Sequence, residues 1–249
     1  MRSRTSVLVT LGVAAYALFL VALLPARLVT SRVMLPPGVT LESVDGSIWN
    51  GTARVSVGSG STAVTLDRVH WHWRPLALLS GRIAYGVEAS GTGLAAHGTL
   101  ARGPSAWALT DVDLQGDVAA LAALAPLAAP WQPAGRLHAT ASELTWDGRE
   151  LRGRAQAQWS DAALALSSVR PLGTYALHLE GAGGPARITL ATTQGALRIS
   201  GDGTLDGLRH FALTGEARAE GPDAQALTPL LDLLGPRRPD GSRAIRLAA

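Results

Sequence analysis

Hydrophobic positions follow two patterns along this chain, and the change between them divides it. From Val7 to Leu24 they are continuous, reading VLVTLGVAAYALFLVALL with no charged residue. As a helix rising about 1.5 Å per residue, this run covers about 27 Å, close to the apolar thickness of a bilayer. Gly12 is compatible with a membrane helix, and Pro25 ends the run. Beyond about Val33 the pattern becomes alternation. Ile83, Tyr85 and Val87 alternate with Arg82, Ala84, Gly86 and Glu88. Tyr175, Leu177 and Leu179 repeat the pattern, as do Ile188 with Leu190 and Leu197 with Ile199. A period of two is the signature of a strand with one apolar face. Glycines at 81, 91, 103, 181, 195 and 203 punctuate these runs. Short strands in antiparallel hairpins are expected, one sheet face packed and the other wet.

One strand changes phase. Val64 and Leu66 share a parity, whereas Val69, Trp71 and Trp73 have the opposite one. A bulge near Asp67-Arg68 keeps all five on one face and bends the sheet. Helical spacing replaces alternation twice. Asp117 precedes Val118, Leu121 and Leu124, stopped by Pro126; Leu227, Leu230, Leu231 and Leu234 are stopped by Gly235-Pro236. Short echoes also recur in order. Trp49-Asn50-Gly51 returns as Trp146-Asp147-Gly148, Arg74-Pro75-Leu76 as Arg170-Pro171-Leu172, and Gly98-Thr99-Leu100 as Gly203-Thr204-Leu205. Trp107-Ala108-Leu109-Thr110 returns as Phe211-Ala212-Leu213-Thr214. The expected fold is mainly β. It is a curved, twisted antiparallel sheet of two similar β units, each ending in a short helix, behind one N-terminal transmembrane helix. The boundaries are a tail at 1–6, the anchor at 7–24, a linker and first strand at 25–44, and β units at 45–128 and 129–235. A C-terminal tail or strand occupies 236–249.

A cleaved signal peptide is the rival reading of the N-terminal run. Ala15-Tyr16-Ala17 has the small-x-small form of a cleavage site, but Leu18 to Leu24 continue the apolar run beyond it, so the anchor is expected to stay. Arg2 and Arg4 before the span balance Arg27 and Arg32 after it. Tail length decides the orientation: six residues stay in the cytoplasm and the body lies on the outer side.

Charge changes the picture by what it removes. The chain has 22 basic residues, all arginine, and a pI of about 10.1. Four of those arginines flank the apolar run within residues 1–32, where there is no acid. The rest carries 18 basic against 19 acidic residues, which offers no footprint for a phosphate backbone, so no nucleic-acid partner is expected. With no cysteine, disulfides, thiolate chemistry and cysteine-based metal sites are excluded.

Motifs for chemistry are sparse. There is no Gly-x-Ser-x-Gly elbow and no Walker loop. Gly91-Thr92-Gly93-Leu94-Ala95-Ala96 fits a loose dinucleotide fingerprint, but strand pattern follows it where a helix is required, so it reads as a hairpin. His70 and His72 share a strand face, with no further ligand near them in sequence. Asp111 and Asp113 read as a solvated pair, and Asn50-Gly51 as a turn. No catalytic residue, cofactor or metal is expected. The seven tryptophans are the richer set, in part core and in part anchors for a partner; Trp71, Trp73 and Trp107 are the candidate partner-binding residues.

Taken with the anchor, three segments resemble protein N of the bacterial type II (general) secretion system. They are Leu41-Glu42-Ser43-Val44-Asp45-Gly46-Ser47-Ile48-Trp49-Asn50-Gly51, Arg170-Pro171-Leu172-Gly173-Thr174-Tyr175 and Leu233-Leu234-Gly235-Pro236-Arg237-Arg238-Pro239-Asp240-Gly241-Ser242. The resemblance implies a non-enzymatic, single-span inner-membrane protein with a periplasmic body. Its role would be assembly or accessory, contacting the secretin or the inner-membrane platform during export of folded proteins. The alternative is a membrane-anchored lipid-binding or lipid-transfer β protein, because a curved sheet with an apolar inner face can cradle acyl chains. An envelope hydrolase is disfavoured, since no nucleophile pattern is present.

Overall fold

The computed structural model describes residues 25–27, 39–57, 64–122, 129–207 and 210–248. The predicted anchor at 7–24 lies outside them. Among the described residues, no helix is long and apolar enough to cross a membrane. Among the described residues, alternation produces thirteen strands. They are β1 (Val39–Gly46), β2 (Asn50–Val57), β3 (Val64–Trp73), β4 (Ile83–Gly91), β5 (Leu94–Arg102), β6 (Trp107–Asp117) and β7 (Pro133–Trp146). Then come β8 (Leu151–Leu164), β9 (Gly173–Ala182), β10 (Ala186–Gly195), β11 (Leu197–Asp206), β12 (His210–Ala219) and β13 (Arg243–Ala248). All join one open antiparallel sheet in which spatial order equals sequence order. The segment expected as a C-terminal tail or strand thus contains a strand, β13, paired to β12.

Register carries one apolar face across this sheet. Trp71 lies opposite Gly51 and Val87, and Leu100 opposite Tyr85 and Leu109. Leu109 lies opposite Leu144, Ala155 opposite Leu179, Leu179 opposite Ile188, and Leu213 opposite Leu247. The other face carries His70, Glu88, His97, Asp113, Gln156, His178 and Asp202, which pair across the strands in the same way.

Bulges keep the apolar face continuous. Between β2 and β3, Ala53 pairs with Val69 and Val55 with Leu66, so Asp67-Arg68 holds the extra residue the phase change requires. The same device recurs in β6 at Asp111, where Leu109 gives way to Val112, and in β8 near Asp161, where Trp159 gives way to Ala162. Ser43, Asp111 and Asp161 take φ of 50°, 53° and 52° at such shifts, the left-handed conformation that short polar residues tolerate best.

Among the described residues, helices cover little of the sheet. α1 (Val118–Ala122) follows β6, and α2 (Thr228–Leu234) follows β12. Leu227, Leu230 and Leu231 pack on Leu172, Leu197, Ala217 and Ile245, forming the main core on the apolar face. Tyr175 is buried nearby, where its hydroxyl donates to the Leu197 carbonyl at 3.0 Å and burial holds its pKa above the ordinary value. A smaller cluster of Ala84, Ala101 and Ala108 lies on the opposite face beneath Ala77 of the 3-10 turn Pro75–Ser80. Leu124 and Pro126 of the first predicted helix lie outside the described residues.

Two local readings resolve differently from each other. Gly91 to Ala96 is a hairpin: Gly91 pairs with Leu94 around a two-residue turn in which Gly93 takes φ 73°. Asn50-Gly51 is not a turn but the start of β2. The reversal comes just before it, where Ser47 Oγ accepts from the amides of Trp49 and Asn50, both at 3.2 Å. Gly51 serves a different need, since a Cβ there would lie 2.4 Å from the Trp71 ring.

Candidate functional site

Strand order gathers the tryptophans. In a meander, the start of β2, the end of β3, the starts of β4 and β6, and the ends of β5 and β7 all meet at one end of the sheet. Trp49, Trp73, Trp107 and Trp146 are at that end. Trp49 and Trp73 are in ring contact, with centroids 4.6 Å apart and planes at 50°. Trp73 pairs with Tyr85, Ile83 with Arg102, Arg102 with Trp107, and Trp107 with Trp146. An isolated bridge from Pro25 to Ser47 brings the chain that leaves the predicted anchor to the same end.

The three candidate residues differ in what they offer. Trp71 is half-buried over Gly51, with its Nε1–H donating to the Ser47 carbonyl at 3.2 Å. Trp73 is half-buried, and its buried Nε1–H has no acceptor among the described residues. Trp107 is 44% exposed, with the Arg102 guanidinium 5.0 Å above its ring. Reading tryptophans alone misses the most exposed apolar group nearby, the 3-10 turn Pro75–Ser80. Leu76 is 77% exposed and Leu79 88%, and Leu78 is exposed with them; Ile83, Leu100 and Leu109 are exposed on the apolar face of the neighbouring strands. The local signal was present in Arg74-Pro75-Leu76-Ala77-Leu78-Leu79-Ser80-Gly81-Arg82, an apolar tetrad between arginines with Pro and Gly at its ends. Pro75 opens the turn, and Gly81 closes it in the left-handed conformation at φ 68°. Exposed leucines in a turn flanked by Arg74 and Arg82, and an exposed tryptophan under Arg102 at the same sheet end, have the composition of a contact surface.

The polar face carries titratable side chains in rows. Asp113 meets His138 Nε2 at 3.1 Å, and this hydrogen bond holds its carboxyl below the ordinary value. The bulge at Asp111 interrupts the expected Asp111/Asp113 spacing. Arg154 pairs with Glu180 at 3.0 Å and Arg136 with Asp161 at 3.1 Å, exposed ion pairs that add little stability. His70 and His72 do gain a neighbour: Glu88 on β4 brings a carboxylate oxygen within 4.8 Å of an imidazole nitrogen of each. Nothing near the histidines in sequence announced it, because the pairing of β3 with β4 supplies the third group.

Comparison with known families matches residues 37–246 to the family described as type II secretion system (T2SS), protein N. No match was found among curated proteins or among solved structures.

Proposed function

Because the chain belongs to the type II secretion system protein N family, we propose that it is a non-enzymatic, inner-membrane-anchored part of that machine. In this reading residues 7–24 span the membrane once, the N-terminal tail is cytoplasmic, and the β body projects into the periplasm. There it assists assembly of, or contact between, the inner-membrane platform and the outer-membrane secretin. Membership in the family makes the chain a component of the type II secretion machinery, and the finer role rests on one observation. That observation is the exposure of Leu76, Leu78, Leu79 and Trp107 at the sheet end to which Pro25 returns the chain. A surface of this composition beside the membrane exit suits a platform partner. The sequence echoes support a body of two similar units. Gly98-Thr99-Leu100 and Gly203-Thr204-Leu205 both lie in the penultimate strand before a helix, and the Trp107 and Phe211 tetrapeptides both open the last one. Between Arg-Pro-Leu and the helix, however, stand three strands in the first half and four in the second. Superposition of β5–α1 on β11–α2 tests the duplication.

Photocrosslinking in intact cells tests the role. With a photoreactive residue at Trp107 or Leu79 of the full chain, adducts with platform or secretin proteins are expected. The same residue at Leu166, 56% exposed after β8 at the other end, should give few. Adducts with lipid alone overturn this reading in favour of the second one, lipid binding. That second reading is supported by the continuous apolar face, whose middle positions Leu137, Leu144, Leu177 and Leu190 are only half-buried.

A further inference from the structure

The polar face of β3 and β4 holds a set of donors that the secretion role does not use. His70 and His72 project from the same side of β3, and in register Glu88 lies opposite His70 and Gly86 opposite His72. The two imidazoles are stacked, 5.8 Å between centroids and 29° between planes. One donor atom from each histidine and one Glu88 oxygen lie mutually within 4.8 Å. Zinc bonds of about 2.0–2.1 Å place tetrahedral ligands about 3.4 Å apart, so small side-chain rotations close the set.

Two further features prepare it. The His72 ring lies over Gly86, where a Cβ would stand 2.2 Å from its Cε1 and 2.4 Å from its Nε2. Only glycine at 86 leaves room for that ring position. Asn50 Oδ1 lies 3.0 Å from His70 Nε2. With Nε2–H donating to that amide oxygen, Nδ1 keeps its lone pair for a metal, the outer contact that usually orients a ligating imidazole. The bulge at Asp67-Arg68 sets this arrangement, because it fixes which face His70 and His72 occupy.

We propose that His70, His72 and Glu88 form a binding site for one divalent transition-metal ion of the zinc class, clamping β3 to β4. Two imidazoles and a carboxylate suit Zn2+ and leave a fourth coordination position for water or for a group on a partner. Arg74 and His97 border the site and Asp111 lines the same depression, so cationic and anionic neighbours are both present.

The test uses the full chain, untagged and in detergent, titrated with Zn2+ against a chromophoric chelator. One Zn2+ per chain is expected. Replacing a ligand, His72→Ala or Glu88→Gln, should abolish that binding, and Gly86→Val should weaken it by displacing the ring. Asn50→Ala should weaken it by about 10–100-fold, the usual loss on removing an outer-shell partner. His138→Ala, a surface histidine elsewhere on this face, should leave it unchanged. Melting curves add a readout independent of the chelator: Zn2+ should raise Tm of the wild type but not of His70→Ala/His72→Ala. Absence of stoichiometric binding in the wild type overturns the proposal. So does binding, or a zinc-induced Tm rise, that survives the double substitution.

Discussion

Asp147 shows how much a turn draws from one side chain. Its carboxylate accepts from the Glu150 amide at 2.8 Å and the Arg149 amide at 2.9 Å, and these bonds hold its pKa below the ordinary 3.8. A carboxyl whose folded pKa is depressed adds stability above its unfolded value and loses it as pH falls through the folded one. Asp147→Ala should therefore melt below the wild type at about pH 7, and the gap should shrink as pH drops below 3.8. Thermal melts across that range check it, and a gap that stays constant in acid would show that the charge is not involved. At this scale the sequence is half legible. Asp147-Gly148, named only as an echo of Asn50-Gly51, forms the turn, whereas Asn50-Gly51, read as a turn, became strand. The difference is Trp71, whose ring needs the bare face of Gly51.

Elements depend on how phase and packing combine. The change of parity between Leu66 and Val69 named the β3 bulge correctly, because an apolar face can stay continuous across a phase change only by inserting a residue. The bulges in β6 and β8 obey the same rule, with Asp at the left-handed position. Helix α2 was readable from its leucine spacing, but not its target. Leu227, Leu230 and Leu231 close on Leu172, Leu197, Ala217 and Ile245, contributed by four separate segments. Leu231→Ala should cost about 2–5 kcal/mol, the range for emptying a leucine site in a packed core. Urea unfolding monitored by circular dichroism measures the loss; a cost within error of zero would mean that α2 does not hold this end.

The described residues form a sheet with two edges, and they are not equivalent. β13 is paired to β12, has α2 against it, and carries the buried Arg243, whose guanidinium donates to Asp232 of that helix. β1 has no buried residue and pairs only with β2 within the sheet. Amides of β1 should therefore exchange with solvent faster than those of β13, since local opening there breaks fewer buried contacts. Hydrogen exchange with mass spectrometry on the full chain resolves the two, and equal protection would contradict the asymmetry. At this scale two functional surfaces emerge that no local window contains. The Trp and Leu sheet end gathers Trp49, residues of β3 to β7 and the turn at Pro75–Ser80, and the His70, His72 and Glu88 set needs β3 beside β4.

The sequence by itself determined strands, phases and the two helical spacings, because these follow from periods of two and 3.6 among near neighbours. It also determined the near-neutral body and the expectation of a tether, which are matters of composition and run length. Tertiary structure alone decided that all thirteen strands form one sheet in sequence order. It decided that α1 sits against β6 and β7 in the middle of the sheet and α2 against β12 and β13 at one edge, that tryptophans far apart in sequence share one end, and that Glu88 completes a donor set begun by His70 and His72. Those outcomes depend on which strand lies beside which. Pairing depends on cross-strand contacts between residues distant in the chain, which no local pattern encodes.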